Sequence, residues 1–286
     1  MVLESLVTPF KAEKHPIEMF FIGMVYSSVA VLISTQIFED MAGIIAVFLT
    51  VMASIPLMYS TMKFEEEKDL VESSEIRLLK EHSKAISFLT FLFLGIMVSF
   101  TLWYTFLPPA TAENLFSLQI GTIKSINGGA TAMMSVSPGA LFSKILFNNV
   151  RVLLFCILFA LFYGAGSIFI LTWNASVIAV AIGTFIRNNI AEYASLVGAP
   201  FVAKYMHVFS LGLARYMIHG IPEIIAYFVG GLAGGIISIA IIKRDFSSER
   251  FEKILIDTAD LIVISLLILV IGALIEVFIT PALFMG

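Results

Sequence analysis

Charged residues are scarce in this chain, making up only 13% of its 286 residues. A soluble domain is about one quarter charged and about half apolar. Here 59% of the residues are hydrophobic and the mean hydropathy is +0.99. This composition excludes an ordinary soluble protein and leaves little chain for a separate soluble domain. We expect the lipid bilayer to be its surroundings, and we expect no nucleic-acid partner.

Cysteine is almost absent, since Cys156 is the single one and lies in an apolar run. No disulfide can form within one chain, so the sequence says nothing about the redox compartment. The N-terminus does not resemble a cleavable signal peptide. Residues 1–16 carry several charges, and the apolar run that follows is too long for the core of such a peptide. We expect these residues to form a short cytoplasmic arm.

The apolar residues are gathered into segments of about 20 residues, the length of a helix that crosses a hydrocarbon core of about 30 Å. The sequence therefore predicts an all-α, polytopic transmembrane helix bundle of about seven spans. A re-entrant segment near 174–220 is an open alternative to a full crossing there. The predicted spans are 17–38, 41–62, 85–107, 144–172, 174–189, 221–242 and 258–280.

The most charged stretch, 63–84, separates the second and third spans. Mixed charge of this kind is typical of solvent-facing surface. We interpret it as a solvated cytoplasmic connector, built as a helical hairpin or a pair of helix extensions, with a docking surface as the alternative. The predicted units are a two-span hairpin with this connector, 1–84, and a five-span core, 85–286. Two surface-lying helical pieces are expected within 108–143.

The distribution of Lys and Arg predicts the orientation. Cytoplasmic loops carry an excess of basic residues, and the two basic loops here are 63–84 and 243–253. Both can be cytoplasmic only if 174–189 crosses fully. The chain is then a multi-pass protein of the cell membrane, with its N-terminus in the cytoplasm and its C-terminus outside.

This topology brings polar residues from several spans to the outer membrane face. Glu276 is the strongest candidate among them, because apolar residues flank it on both sides and a carboxylate in such a helix needs a partner. We expect Arg151 to be that partner, since a guanidinium grips a carboxylate with two parallel hydrogen bonds. His219 is the next candidate. The predicted polar cluster is Asn148, Asn149, Arg151, His219, Glu223 and Glu276.

The sixth span is predicted to begin near Ile221, with Pro222 in its first turn. Glu223 would then benefit from the positive end of the helix dipole. Four glycines follow at the small-xxx-small spacing that lets helix backbones approach. We expect them to serve helix packing rather than to line a channel. They are Gly230, Gly231, Gly234 and Gly235.

A metal site at His219 and Glu223 is the alternative to a simple hydrogen bond, since imidazole and carboxylate both bind zinc. No second histidine stands at ligand spacing, and no H-E-x-x-H motif is present. We therefore expect neither a metal nor another cofactor. For the polar cluster, a structural role that sets the helix register stands beside a functional one.

Three short motifs resemble the stage II sporulation protein M family of integral membrane proteins. They are Asn148-Asn149-x-Arg151, His219-Gly220-x-x-Glu223 and Ile275-Glu276-x-Phe278-Ile279-Thr280-Pro281. The resemblance covers roughly residues 85–283 and leaves out the first two spans. It implies a membrane scaffold, because the member in spore-forming bacteria works in a complex with peptidoglycan-degrading enzymes. The sporulation role itself is not carried over, since relatives occur in organisms that form no spores.

Three functions remain open at this point. The first is a non-enzymatic scaffold or assembly factor, with protein partners in a membrane complex or a second copy of the chain. The second is a transporter or channel subunit that uses the same polar cluster. The third is an intramembrane metalloenzyme using His219, Glu223 and Glu276. We expect the first, and we expect no enzymatic activity, because no complete catalytic set is present.

Overall fold

Helices make up this computed structural model, which describes residues 8–38, 41–71, 74–131, 137–160, 165–196, 201–243 and 249–284. Within these ranges there is no strand, and seven helices are long and apolar enough to cross a membrane. The predicted all-α polytopic bundle is confirmed. The helices are α1 (Pro9–Lys14), α2 (Pro16–Ile37), α3 (Ala42–Val71), α4 (Glu75–Phe106), α5 (Pro109–Leu115), α6 (Ser117–Thr131), α7 (Pro138–Ala160), α8 (Ala165–Leu196), α9 (Phe201–Ile242), α10 (Glu249–Leu274) and α11 (Thr280–Phe284), with a π-helical turn (Ile275–Ile279) between the last two.

Helix α3 continues through Pro56, whose ring removes one backbone hydrogen bond of the helix. Such a proline is tolerated in a membrane helix because neighbouring groups satisfy the backbone. The carbonyl that loses its donor is that of Met52, four residues earlier, whereas the Ser60 hydroxyl donates to the carbonyl oxygen of Pro56 itself at 2.8 Å. Buried Thr50, Ser54 and Thr61 likewise donate to the carbonyl four residues earlier, so these hydroxyls cost little inside the bundle.

The charged stretch 63–84 forms the end of α3 and the start of α4, which confirms the predicted pair of helix extensions. The boundary proposed between residues 84 and 85 falls within α4. One hydrophobic core contains residues from both sides of that boundary, among them Val47, Leu92 and Ile236.

Helices α2 and α4 approach each other at two glycines. A Cβ atom at Gly23 would lie 3.1 Å from the backbone nitrogen of Ile96, and one at Gly95 would lie 3.0 Å from the Cα of Phe20. Ser28 then reaches the Ser99 hydroxyl at 3.0 Å. Small residues and interhelical hydrogen bonds are the usual means of helix association in a bilayer.

The two predicted helical pieces within 108–143 are α5 and α6. Helix α4 ends at Phe106, where Pro108 and Pro109 follow, and Pro109 begins α5. Helix α6 is tied to the bundle by Gln119, whose Nε2 donates to the Ser176 hydroxyl of α8 at 3.1 Å.

The predicted boundary between the fourth and fifth spans is wrong. Instead of one span at 144–172, α7 ends at Ala160 and α8 begins at Ala165. Residues 168–172 therefore belong to the fifth span, which is long enough to cross at Ser167–Ile190. Within Ala165–Leu196 the chain is one continuous helix.

The predicted start of the sixth span at Ile221 is also wrong. Helix α9 runs unbroken for 42 residues from Phe201 to Ile242, so Gly220 and Pro222 lie inside it. Apolar residues before Gly220, such as Val208 and Met217, are buried and continue the packed face. Glu223 is therefore not in a first turn, and the helix dipole does not account for its position.

Helix α9 lies at the centre of the second half of the bundle, in contact with α3, α4, α7, α8 and α10. Helices α7 and α10 are peripheral and expose apolar side chains such as Leu158 and Leu267. Since successive spans run in opposite directions, the start of α7, the first half of α9 and the end of α10 come to the same side.

Candidate functional site

Three helices bring polar side chains together near the middle of α7, the middle of α9 and the end of α10. Asn149 of α7 is buried, and its Nδ2 donates a hydrogen bond of 2.6 Å to Oε1 of Glu223 on α9. The amide supplies a donor to a carboxyl group that has few other donors inside the bundle. This contact joins two of the three motifs on which the family resemblance rests.

The third helix contributes Glu276, which lies in the π-helical turn at the end of α10. Its carboxyl group comes close to that of Glu223. Two ionised carboxylates have only acceptors, so a hydrogen bond between them requires one of them to be protonated. Gly272 allows the approach, since a Cβ there would lie 3.2 Å from Cγ of Glu223. Single π turns occur often at functional sites.

His219 lies one turn before Glu223 but pairs with α11 instead. Its Nδ1 is 3.3 Å from the Thr280 hydroxyl. Thr280 also reaches back to the carbonyl of Ile275 at 3.3 Å, across the π turn. The ring thus fastens α9 to the end of the last span.

The predicted Arg151–Glu276 pair is wrong. Within the described residues, Arg151 is exposed and lies over the Phe155 ring, 5.9 Å from its centroid. Two residues along a helix correspond to a turn of about 200°, so Arg151 points outward when Asn149 faces α9. Asn148 is exposed as well. The structure therefore assembles Asn149, Glu223 and Glu276, with His219 nearby, and leaves Asn148 and Arg151 outside.

The four glycines of α9 are all buried and meet three different helices. A Cβ at Gly234 would lie 2.6 Å from the backbone oxygen of Ile157 on α7. Added Cβ atoms at the other three would overlap side chains: Gly230 faces Leu153, Gly231 faces Ser167 and Gly235 faces Met62. At Gly234 the neighbour is backbone and cannot move aside, whereas at the other three glycines a side chain would have to shift.

Comparison with known families supplies the identity of the fold. The family model described as Stage II sporulation protein M matches residues 20–281, nearly the whole chain. The chain belongs to that family. The match begins within α2, so the first two spans that the motif resemblance left out are included. No curated protein and no solved structure matches the chain.

This member of the stage II sporulation protein M family has a second cluster at the opposite end of the bundle. Four ionisable side chains there, Glu65, Glu66, Asp69 and His82, are at most 2% exposed. The prediction that 63–84 is a solvated connector is therefore wrong for these residues. We call the group the charged cluster; it comprises Glu13, Glu65, Glu66, Lys68, Asp69, His82 and Lys243.

His82 of α4 is the centre of the charged cluster. Its Nδ1 is 2.7 Å from Oε2 of Glu65, and its Nε2 is 3.0 Å from Oδ1 of Asp69. Nδ1 is hydrogen-bonded to Glu65, whereas the Nε2–Asp69 contact is at ion-pair distance without hydrogen-bond alignment. The two contacts join α3 to α4, and a protonated ring would be attracted to both carboxylates.

Lysines connect the charged cluster to three further helices. Lys68 Nζ is 2.7 Å from Glu13 of α1 and 2.8 Å from Glu65. Partial burial raises the pKa of the Glu13 carboxyl, and Lys68 opposes that rise. At the end of α9, Lys243 pairs with Glu66. Lys253 of α10 donates to the Asp69 backbone oxygen at 2.7 Å.

The spacing of residues along α3 could have revealed the charged cluster from the sequence of this chain. Met58, Met62, Glu65 and Asp69 recur at spacings of four and three residues, so the acids continue the buried stripe of α3. Within the described residues, no group of three His, Cys, Asp or Glu side chains is arranged to hold a metal ion.

Proposed function

We propose that this chain is a non-enzymatic membrane scaffold or assembly factor. The packing of α9 carries the proposal. Its glycine face is filled by Leu153, Ile157, Ser167 and Met62, so a methyl group added there would already overlap a neighbour. A close-packed central helix suits a frame for other components.

Two cavities lie in the described part of the chain. One of about 570 Å³ lies between α4, α6 and α8, and one of about 460 Å³ lies between α1 and α3. Neither is lined by Asn149, Glu223 or Glu276. Protein partners within the bilayer, or a second copy of the chain, would meet the exposed apolar faces of α7 and α10.

Transport is the second candidate function, and the Glu223–Glu276 contact favours it. An ionisable pair inside a membrane helix bundle is a functional-site hypothesis in its own right. In a transport cycle, a proton shared by the two carboxyl groups would be released and taken up again. The scaffold proposal instead gives the pair the task of holding α9 to α10.

Ion flux distinguishes the two functions. The full chain and its Glu276→Gln variant are reconstituted into liposomes that contain a pH-sensitive dye, and a pH gradient and a membrane potential are applied. The scaffold proposal expects both proteins to match protein-free liposomes. Flux through the wild-type protein that the Glu276→Gln variant loses would overturn it in favour of transport.

Partner contacts give the scaffold its positive test. A photo-crosslinking residue at exposed Leu267 is expected to give discrete protein adducts in cells, whereas one at buried Leu269 on the same helix is not. Lipid adducts alone at both positions would count against a scaffold.

We also propose that the N-terminus is cytoplasmic. The charged cluster brings α1 to the same end as Lys68, Lys243 and Lys253. This distribution supports a cytoplasmic location under the positive-inside tendency. Accessibility of a cysteine introduced at Lys14, measured with a membrane-impermeant thiol reagent in intact and in permeabilised cells, tests it. Labelling in intact cells would reverse the orientation.

A further inference from the structure

The cavity of about 460 Å³ between α1 and α3 opens beside the charged end of the bundle. We propose that it binds the phosphate-bearing headgroup of an anionic membrane lipid, with Lys63 as the cation that contacts the phosphate. This inference does not depend on the proposed function. The cavity is lined by Thr8, Pro9, Phe10, Pro56, Tyr59, Ser60, Lys63, Phe64 and Glu67.

The position of Lys63 along α3 places it at the depth of lipid headgroups. Helix α3 begins at Ala42, and 21 residues at about 1.5 Å each place Lys63 about 32 Å further along the axis. The hydrocarbon core is about 30 Å thick. Lys63 therefore lies where the chain leaves the hydrocarbon, and the charged cluster begins directly after it.

The charge of Lys63 is available to a ligand. Among the residues that the structure describes, Lys63 forms no ion pair, and its side chain is exposed. Lys68, five residues later, shows the contrast, since it contacts Glu13, Glu65 and Glu81. A lysine is a common phosphate-binding residue.

A second cation lies beside the cavity. Lys14 Nζ is 4.1 Å from the centroid of the Phe10 ring, and that ring is part of the lining. Glu67 is the single carboxylate in the lining. An anionic phosphate matches this balance of two cations and one acid better than a cation does.

The remaining lining suits the glycerol and upper acyl chains of a lipid. Phe10 and Tyr59 are 58% and 40% exposed, although both are large aromatic side chains. Aromatic rings of this kind are enriched where a membrane meets water. Pro9, Pro56 and Phe64 add apolar surface. A phosphate group on an apolar tail meets both parts of the lining.

Native mass spectrometry of the full chain in detergent tests the proposal. The protein is titrated with phosphatidylglycerol, with phosphatidylcholine and with inorganic phosphate. We expect saturable retention of phosphatidylglycerol, weaker retention of phosphatidylcholine, and no displacement of the lipid by millimolar-range phosphate. Displacement by inorganic phosphate would make free phosphate the occupant and overturn the lipid assignment. Equal retention of the two lipids would overturn it too.

Variants locate the site. Lys63→Gln is expected to weaken phosphatidylglycerol binding about five-fold, the scale of one lysine–headgroup contact, whereas Lys63→Arg retains it. Lys80→Gln is the matched control, because Lys80 is exposed at the same end of the bundle and does not line the cavity. Glu67→Gln is expected to tighten binding. Equal losses in Lys63→Gln and Lys80→Gln would show diffuse attraction to the membrane surface and overturn the proposal.

Discussion

Asn149 on α7 donates a hydrogen bond of 2.6 Å from Nδ2 to Oε1 of Glu223 on α9, across 74 positions of sequence. The contact brings α7 and α9 together at the level where Glu276 enters from the π turn. The polar cluster is therefore stabilised by the amide of Asn149 and not by the guanidinium of Arg151.

Replacing Asn149 with Leu is expected to destabilise the protein by about 1–3 kcal/mol, because the half-buried carboxyl group of Glu223 loses its donor. Thermal unfolding in detergent measures the change. The exposed neighbour Asn148 provides the control, and Asn148→Leu is expected to leave the unfolding midpoint unchanged. Equal losses in the two variants would contradict the role of the hydrogen bond.

Replacing Arg151 with Gln is expected to change the free energy of unfolding by no more than about 0.5 kcal/mol, as for other surface positions. The side chain is exposed and contacts a single ring, that of Phe155. The same unfolding measurement applies. A loss as large as that of Asn149→Leu would restore the ion pair with Glu276 that the sequence predicted.

Replacing Gly234 with Ala is expected to cost about 1–3 kcal/mol, since α7 and α9 must separate to admit the methyl group. The added carbon would lie 2.6 Å from the Ile157 oxygen and 3.0 Å from Cβ of Ala160. Gly220 is the matched control on the same helix. Its added Cβ would meet one flexible atom, Cε of Met217, at 3.4 Å.

Gly220→Ala is therefore expected to be stabilising by about 0.5–1 kcal/mol, because alanine favours a helix interior over glycine. Opposite signs for the two alanine variants would support close packing of α9 on α7. If both were tolerated alike, the approach at Gly234 would not be as close as described.

Replacing His82 with Leu is expected to destabilise the protein by about 3–5 kcal/mol, the usual cost of removing one partner from a buried ion pair. Asp69 would lose its contact with the ring, and Glu65 would keep Lys68 alone as its cation. His15→Leu is the control, because His15 is exposed and lies 3.8 Å from Glu18. Adding Asp69→Asn to His82→Leu is expected to recover part of the loss; no recovery would contradict the pairing.

The spans could be predicted from the sequence because each apolar run, folded as a helix, is about as long as a bilayer is thick. The boundaries were harder to predict wherever an apolar helix continues through a residue that usually interrupts one. Pro222 and Gly220 predicted a helix start, yet packing on both sides of them maintains α9. Conversely, the single span predicted at 144–172 belongs to two helices, α7 and α8.

The candidate site, like the fold, could be predicted from the sequence only in part. Counting spans predicted that Asn149, Glu223 and Glu276 come to one side, but it could not give the direction in which each side chain points. The two-residue offset between Asn149 and Arg151 decides their partners. The charged cluster was missed because composition alone suggested solvent exposure. The stripe that continues from Met58 and Met62 carries Glu65 and Asp69 into the interior.

The length of α9 has a mechanical consequence. Its 42 residues extend about 63 Å at 1.5 Å per residue, roughly twice the thickness of the hydrocarbon core. Glu223 lies close to the midpoint of this helix, and Lys243, next to its last residue, pairs with Glu66. A displacement of α9 along its axis would therefore move the Asn149–Glu223 contact and the Lys243–Glu66 pair together, because one unbroken helix carries both.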